Sequence, residues 1–286
     1  MLRYSGMKIR YLGTAAAEGF PAVFCNCPAC VVARKDLKRE LRTRSQLLID
    51  EDLLIDFPPD SYNHGVRFGV DLSAVRYLLV THSHTDHFYA QEFVNRGYKF
   101  AANLSVPNLD IFGNQTVLEV FDEDTKREMR ESVLSHIRLH SVRAFEKFNI
   151  GNYEIISLPA HHTPKEEALL YCVRKGDIQL LYLNDTGELS EECFRFLAQN
   201  NVCAQFISMD CTFADDTSPH SDRHMGFVEN EKLRDKLIEN RLVSQNAKYY
   251  VTHFSHNSAP FRDRIESEAR RRGFTAAYDG LELDLR

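Results

Sequence analysis

Thr81-His82-Ser83-His84-Thr85-Asp86-His87 places three imidazoles and a carboxylate directly behind the apolar run Tyr77-Leu78-Leu79-Val80. Polar groups carried into a protein interior must be paired, so a segment this dense in donors calls for a common partner. In extended backbone His82 and His84, at i and i+2, point to one side. If Asp86 and His87 open a helical turn, they face a point close by. Neutral imidazole and carboxylate are ligands that Zn²⁺ or Mn²⁺ accept, so the segment is expected to gather around metal; the plainer alternative is a polar loop whose histidines only hydrogen-bond.

The chain of 286 residues has 12 histidines and 7 cysteines and a formal net charge of −6. Residues 1–10 lack an apolar stretch fit for a signal peptide, and no later stretch reaches ~18 uninterrupted apolar residues. A soluble, cytoplasmic protein without a membrane partner is expected. An odd number of thiols in a reducing compartment argues against a disulfide framework. Met7 precedes the first strand-like run, so residues 1–6 read as a loose or alternative start. Strands are expected at 8–12, 46–50, 53–57, 76–81, 154–158, 168–173, 178–183, 204–209 and 249–252. Helices are expected at 115–121, 124–135, 190–199, 229–243 and 261–272. Strands then helices, twice over, predict two sheets packed together under helices, as a single domain over residues 1–286.

The ordered motifs resemble the metallo-β-lactamase superfamily of hydrolases, along nearly the whole chain. Leu54-Ile55-Asp56 resembles its first acidic turn and residues 82–87 its hallmark. Three later segments match in order: Ala160-His161-His162-Thr163-Pro164, Leu183-Asn184-Asp185-Thr186 and Val251-Thr252-His253. The resemblance implies an α/β fold, a four-layer αββα sandwich, with the site at strand ends. It assigns His82, His84 and His162 to one ion, Asp86, His87 and His253 to a second, and Asp185 to both. His162, followed by Thr-Pro, is preferred as ligand and His161 is the fallback. Asp56 is expected to orient the cluster through hydrogen bonds.

Cys25-Asn26-Cys27-Pro28-Ala29-Cys30 forms a claw of three thiols that lacks a fourth ligand for tetrahedral zinc. His256, three residues beyond His253, is the expected fourth, which would tie the early loop to the His253 loop; the plainer alternative is a reduced cysteine-rich loop. Cys172, Cys193, Cys203 and Cys211 lie in apolar runs and are expected in the core. With the claw, the chain is similar to the phosphoribosyl cyclic phosphate phosphodiesterases. That similarity also covers Leu12-Gly13-Thr14, Met209-Asp210-Cys211, His224, residues 251–256 and Tyr278-Asp279-Gly280-Leu281-Glu282. It departs from them by a longer segment at 95–151 and by Glu18-Gly19-Phe20-Pro21. Relatives in pyrroloquinoline quinone biosynthesis share the claw.

The resemblance implies a phosphodiesterase acting on a small cyclic or nucleotide-like phosphate ester, with two catalytic divalent ions (Zn²⁺ or Mn²⁺) activating water and one structural Zn²⁺. Asp86 and His224 are the catalytic residues, His224 as proton donor to the leaving oxygen with Asp222 orienting it. Alternatives are a tRNA 3′-processing endonuclease, a lactonase and a non-catalytic cofactor-biosynthesis relative. The acidic balance and the lack of a basic, glycine-rich arm in 95–151 argue against a nucleic-acid partner. A homodimer is the base-rate expectation. Arg34, Lys35, Lys38, Arg39, Arg42 and Arg44 read as a solvated helix or as steering for an anion. His136 and His140 are expected at a strand or helix end without metal, and His64 and His220 at the surface.

Overall fold

The computed structural model describes residues 6–218, 221–258 and 261–285; the expectations for residues 1–5 and for His220 lie outside them. The first sheet is built from β1 (Met7–Gly13), β2 (Gln46–Ile49), β3 (Leu53–Ile55), β4 (Tyr77–Leu79), β5 (Leu109–Gly113) and β6 (Ile137–Ser141). The second holds β7 (Lys147–Ile150), β8 (Tyr153–Pro159), β9 (Leu169–Lys175), β10 (Ile178–Leu183), β11 (Ala204–Asp210), β12 (Val243–Thr252) and β13 (Thr275–Ala276). The chain then returns to the first sheet as β14 (Glu282–Leu285), antiparallel to β1. The strand orders are 14-1-2-3-4-5-6 and 13-12-11-10-9-8-7.

Turn chemistry accounts for the antiparallel pairs. β2 and β3 are joined through Asp50 and Glu51, both in the left-handed region at φ 49° and 69°, the backbone that matches the twist of a tight hairpin. Parallel pairing runs through β3–β4–β5–β6 in one sheet and β10–β11–β12–β13 in the other. Parallel neighbours need long crossovers, and these carry helices α3 (Ser61–Phe68), α4 (Gln115–Thr125), α6 (Glu191–Gln199), α7 (Phe227–Glu239) and α8 (Arg262–Arg271). Shorter helices α1 (Pro28–Ala33), α2 (Leu37–Glu40) and α5 (Glu131–Leu134) lie in the connections. Local signals start them: Ser190 caps α6 by accepting from Cys193 N, with Glu191 and Glu192 in the first turn, where carboxylates meet the positive helix end.

One apolar cluster fills the space between the sheets, with Ile9, Leu47 and Ile55 from one and Ile155, Tyr171 and Leu180 from the other. Two more lie under the outer helices, around Phe194 and Leu237 and around Val117 and Phe121. The expected sandwich of two sheets under helices is therefore the observed architecture. No helix among the described residues is long and apolar enough to cross a membrane.

Several local expectations change. The helix expected over 124–135 is instead the end of α4 and the short α5, and residues 243–248 are strand, Val243 and Lys248 lying opposite Ala204 and Phe206 of β11 across a shift in register. Residues 109–113 and 137–141 extend the first sheet, so much of the 95–151 segment is core framework. Cys203 is exposed at the strand entry, unlike buried Cys172, Cys193 and Cys211. Arg42 does not belong to a solvated basic face: it is buried with its guanidinium 5.5 and 5.6 Å from the rings of Phe20 and Phe254. Burial pushes its pKa down to about 10.

Candidate metal centre

The cluster forms where strands end. Asp56 follows β3, His82 follows β4, His162 follows β8, Asp185 follows β10, and His253 follows β12. Strand ends of rigid sheets aim side chains without needing order in long loops. Two of these residues hold left-handed backbone, Asp56 at φ 65° and His253 at φ 64°, an arrangement that side chains other than glycine adopt at some energetic cost.

Three nitrogens converge first. His84 Nδ1 lies 3.0 Å from His82 Nε2 and 3.2 Å from His162 Nε2. Ligands about 2.0–2.1 Å from a tetrahedral Zn²⁺ stand roughly 3.4 Å apart, so these separations fit an ion. Burial pushes the pKa of His82 well below 6.5 and that of His162 to about 4, which favours the neutral rings that ligate. In a second group, His87 Nε2 lies 3.2 Å from both Asp86 Oδ2 and Asp185 Oδ2, and His253 Nε2 lies 2.8 Å from Asp185 Oδ1. Asp185 Oδ2 is also 3.9 Å from His162 Nε2, so this carboxylate stands between the two groups.

Chemical accounting supports the fit. His87 Nε2, His253 Nε2 and Asp185 Oδ1 are buried yet make no hydrogen bond of good geometry, despite their proximity. Buried polar atoms are nearly always satisfied, and a cation would satisfy these three at once. The opposite nitrogens of His82, His87 and His253 are occupied, while that of His162, Nδ1, is buried without a partner. His82 Nδ1 meets Thr81 Oγ1 at 3.0 Å, His87 Nδ1 meets Asp56 Oδ2 at 2.7 Å, and His253 Nδ1 meets Thr212 Oγ1 at 2.8 Å. Each contact leaves Nε2 facing the cluster. Asp56 is wholly buried and also accepts from Thr81 N and Thr81 Oγ1, the orienting role expected of it.

His224 sits beside both groups, its ring 4.9 Å from His162 and stacked 5.6 Å from His253. Its partner is Asp210, with Nδ1 2.8 Å from Oδ2, not Asp222 as expected from sequence proximity. Burial disfavours the imidazolium, but the buried Asp210 carboxylate outweighs it and raises the His224 pKa to about 9. Asp210 could be counted as a ligand by proximity, yet its oxygens already accept from Thr212 N, Met225 N, Thr186 N and His224. Asp222 pairs with exposed His161 instead, at 3.2 Å, and His161 belongs to none of the candidate ligand groups among the described residues.

Glu166 carries no signal in the sequence. It accepts from Ser83 N and Ser83 Oγ, between His82 and His84, and from Asn114 Nδ2, while Asn114 Oδ1 caps α4. Nothing in Thr163-Pro164-Lys165-Glu166-Glu167 signals this clamp. Asp210 lay in a noted motif without an assigned role.

The claw closes as well. Cys25, Cys27, Cys30 and His256 bring one donor atom each into a common group. Sγ of Cys30 and of Cys27 lie 3.5 and 3.9 Å from His256 Nδ1; sulfur and nitrogen on a tetrahedral zinc stand about 3.5 Å apart. The Cys30 amide and His256 hold the Cys27 thiol down at about 6. Glu18 accepts from Ser255 Oγ and from His256 N, so one of the departures noted in the first loop fastens the His256 turn. His136 and His140 bond Asn108 and Asp110 and lie in neither group. His64 is fully buried and hydrogen-bonded, against the expectation of exposure.

Two mixed sheets clad in helices, with histidines and aspartates gathered at strand ends, define the metallo-β-lactamase fold. The sequence profile of the beta-lactamase superfamily domain matches residues 53–254, and the chain belongs to that family, whose members are mostly hydrolases. It is 29% identical over 129 residues to coenzyme PQQ synthesis protein B of Methylobacterium radiotolerans, a match covering 41% of this chain and 43% of that protein. Among solved structures it is similar to a diphosphatase from the PhnP family, with 21% identity, a TM-score of 0.72 and 98% of each chain covered. It is also similar to Zn²⁺-bound PqqB from Methylobacterium extorquens, with 17% identity, a TM-score of 0.74 and 97% and 100% covered. Human tRNase Z, short form, gives 12% identity, a TM-score of 0.67 and 98% and 99% covered. At these identities the likeness is one of fold.

Proposed function

We propose that this chain is a metal-dependent phosphodiesterase that cleaves a small cyclic or nucleotide-like phosphate ester. The observation that carries the reading is the Asp210–His224 pair set beside two ligand groups. His82, His84 and His162 would hold one divalent ion, and Asp86, His87 and His253 a second, with Asp185 offering an oxygen to each. Bound there, Zn²⁺ or Mn²⁺ would supply Lewis acidity and lower the pKa of a nucleophilic water. Asp86 therefore acts on the reaction as a ligand.

The chain's own residues handle the leaving group. Breaking a phosphodiester bond frees an alkoxide, which needs a proton. Asp210 engages His224 Nδ1, so the transferable proton stands on Nε2. The raised pKa keeps the ring charged until a strong base forms beside it. Cys25, Cys27, Cys30 and His256 would hold a third, structural Zn²⁺ outside the reaction.

A small substrate is favoured over tRNA because segment 95–151 is spent on β5, α4, α5, β6 and β7 and not on a projecting basic arm. The reading includes a cytoplasmic setting. Against the non-catalytic alternative stands the full set of seven ligand side chains. Turnover of bis(p-nitrophenyl) phosphate with added Mn²⁺ or Zn²⁺ is the test. His224→Ala should lower turnover while two exchangeable ions remain. No turnover by protein carrying both ions would sink the phosphodiesterase reading.

A further inference from the structure

A buried polar chain runs from the C-terminal segment to the metal cluster, and the proposed chemistry does not use it. Asp279 accepts from Thr14 Oγ1 at 2.7 Å and from Thr43 N at 2.8 Å. Its Oδ2 also lies 2.8 Å from Thr43 Oγ1, which in turn lies 2.7 Å from His64 Nε2. His64 Nδ1 lies 2.7 Å from Gln46 Oε1, and Gln46 Nε2 donates to Asp56 O and Ser61 Oγ at 2.9 and 3.0 Å. Asp56 is the residue in left-handed backbone whose carboxylate holds His87.

Proton counting fixes the donors along this chain. The Asp56 carbonyl only accepts, so the Gln46 amide must turn its NH₂ toward it and its oxygen toward His64. His64 Nδ1 therefore carries hydrogen. The single Thr43 hydroxyl hydrogen then has two close claimants, at 2.7 and 2.8 Å, the Leu12 carbonyl standing farther off at 3.4 Å. If it points to His64 Nε2, Asp279 must be protonated and donate to Thr43. If it points to Asp279, the carboxylate is ionised and His64 must carry a second hydrogen. Either way His64 and Asp279 together hold one proton that only the Thr43 hydroxyl separates. Burial favours the uncharged arrangement: it pushes Asp279 above the ordinary carboxylate range and His64 down to about 4. Asp60 opposes this at His64, whereas Arg67 adds to it there and, 3.6 Å from Asp279, favours the ionised acid.

We propose that His64 is a positioning residue for the Asp86–His87–His253 subsite, acting through Gln46 on the backbone of Asp56, and that it shares one proton with Asp279 across Thr43. The chain braces a strained residue from behind. Gln46 pins the Asp56 carbonyl, Thr81 pins its carboxylate, and the orientation left over aims Oδ2 at His87 Nδ1. His64 touches neither metal ligand nor substrate position; its effect passes entirely through the amide it orients. The metal arm of this inference rests on the two-ion reading above.

Three substitutions in the full-length protein separate the roles. His64→Asn keeps a donor in the place of Nδ1, while His64→Gln reaches only toward Thr43, and His64→Phe removes both. Mn²⁺ affinity, measured by chelator competition, should fall about 10–100-fold in His64→Gln and His64→Phe, as for other groups that orient ligands. His64→Asn should stay within a few-fold of wild type. Should His64→Phe fail to fold, the Asn and Gln pair still decides. Equal losses in those two, or none in either, would overturn the positioning role. Histidine ¹⁵N spectra of the metal-free protein supply an independent reading: Nδ1 protonated and Nε2 bare from pH 6 to 8. A bare Nδ1 would overturn the proton assignment. Wild-type protein that binds no Mn²⁺ would overturn the two-ion reading and with it the positioning role, leaving the spectra to judge the proton on His64. The carboxyl ¹³C shift of Asp279 then judges the shared proton: a protonated acid at pH 6 supports it and an ionised one overturns it.

Discussion

Asp56→Asn keeps the volume of a wholly buried side chain and removes its charge, which makes it the sharpest probe of the centre. Asp56 Oδ1 accepts from Thr81 N and Thr81 Oγ1 at 2.8 and 2.9 Å, and Oδ2 meets His87 Nδ1 at 2.7 Å. An amide has one oxygen for these two sets of donors. With that oxygen on Thr81, the new NH₂ faces His87 Nδ1, and the imidazole can respond only by moving its hydrogen to Nε2. That atom faces Asp86 and Asp185, 3.2 Å from each, so the tautomer that satisfies the amide blocks the ligand position. With the oxygen on His87, the NH₂ meets the Thr81 N–H instead. Either way one charge-assisted hydrogen bond is lost, about 1.5–3 kcal/mol, and in the second orientation a buried donor is also left unpaired, about 1–3 kcal/mol more. The metal-free variant should therefore be destabilised by at least about 1.5–3 kcal/mol in chemical denaturation. Its weaker exchangeable ion should bind at least about 10–100-fold less tightly, while the claw zinc stays. Elemental analysis after dialysis against a mild chelator reads the second effect. Variant protein that keeps both exchangeable ions with wild-type affinity would refute the reasoning.

Cys30→Ser should remove one tightly held ion per chain and lower Tm, because Cys30 is the buried member of the claw; an unchanged zinc count would show that the four side chains hold none. Gly187→Ala should lower turnover with metal content intact, since a Cβ there would sit 1.8 Å from Asp222 O and displace the segment leading to His224. Wild-type turnover would show that this segment tolerates displacement. Stability should also respond to the shared proton. Unfolded, His64 and Asp279 titrate near 6.5 and 3.8, so between those values the pair holds one proton, as it does when folded. The folded His64 pKa is depressed and the folded Asp279 pKa is raised, so their contributions cancel in that window. Above pH 6.5 the unfolded pair binds no proton, so wherever the folded pair still keeps its shared proton, stability should fall as pH rises, by at most about 1.4 kcal/mol per pH unit from this source. Asp279→Asn should lose that alkaline slope; an identical slope in the variant would count against the shared proton.

The residues gathered in the candidate site were legible because their signals are local. His82, His84, Asp86 and His87 lie in one short segment, and Asp185 and His253 each follow an apolar strand. The claw was legible for the same reason. What remained hidden depended on contacts between distant segments. Asp222 stands two residues from His224 and was the natural partner to expect, but parallel pairing of β11 with β10 and β12 sets Asp210 between Asp185 and His253, within reach of His224 Nδ1. Glu166 acquires its role only because the loop after β8 folds against Ser83 and the α4 cap. His64 lies on a helix with mixed neighbours, and no periodicity marks it as buried.

Donor chemistry, the order of the candidate ligands, the strand-and-helix alternation that closes into two sheets, and hence the superfamily are written in the chain itself. Those properties follow from side-chain identity and spacing along a few residues. Tertiary structure alone decided which carboxylate charges His224, which glutamate clamps the His82–His84 turn, and which buried histidine braces Asp56. Each of those is a hydrogen bond between segments far apart in the chain. Such a bond needs its atoms within about 3 Å, a condition that only strand register and the packing of one sheet on the other can meet.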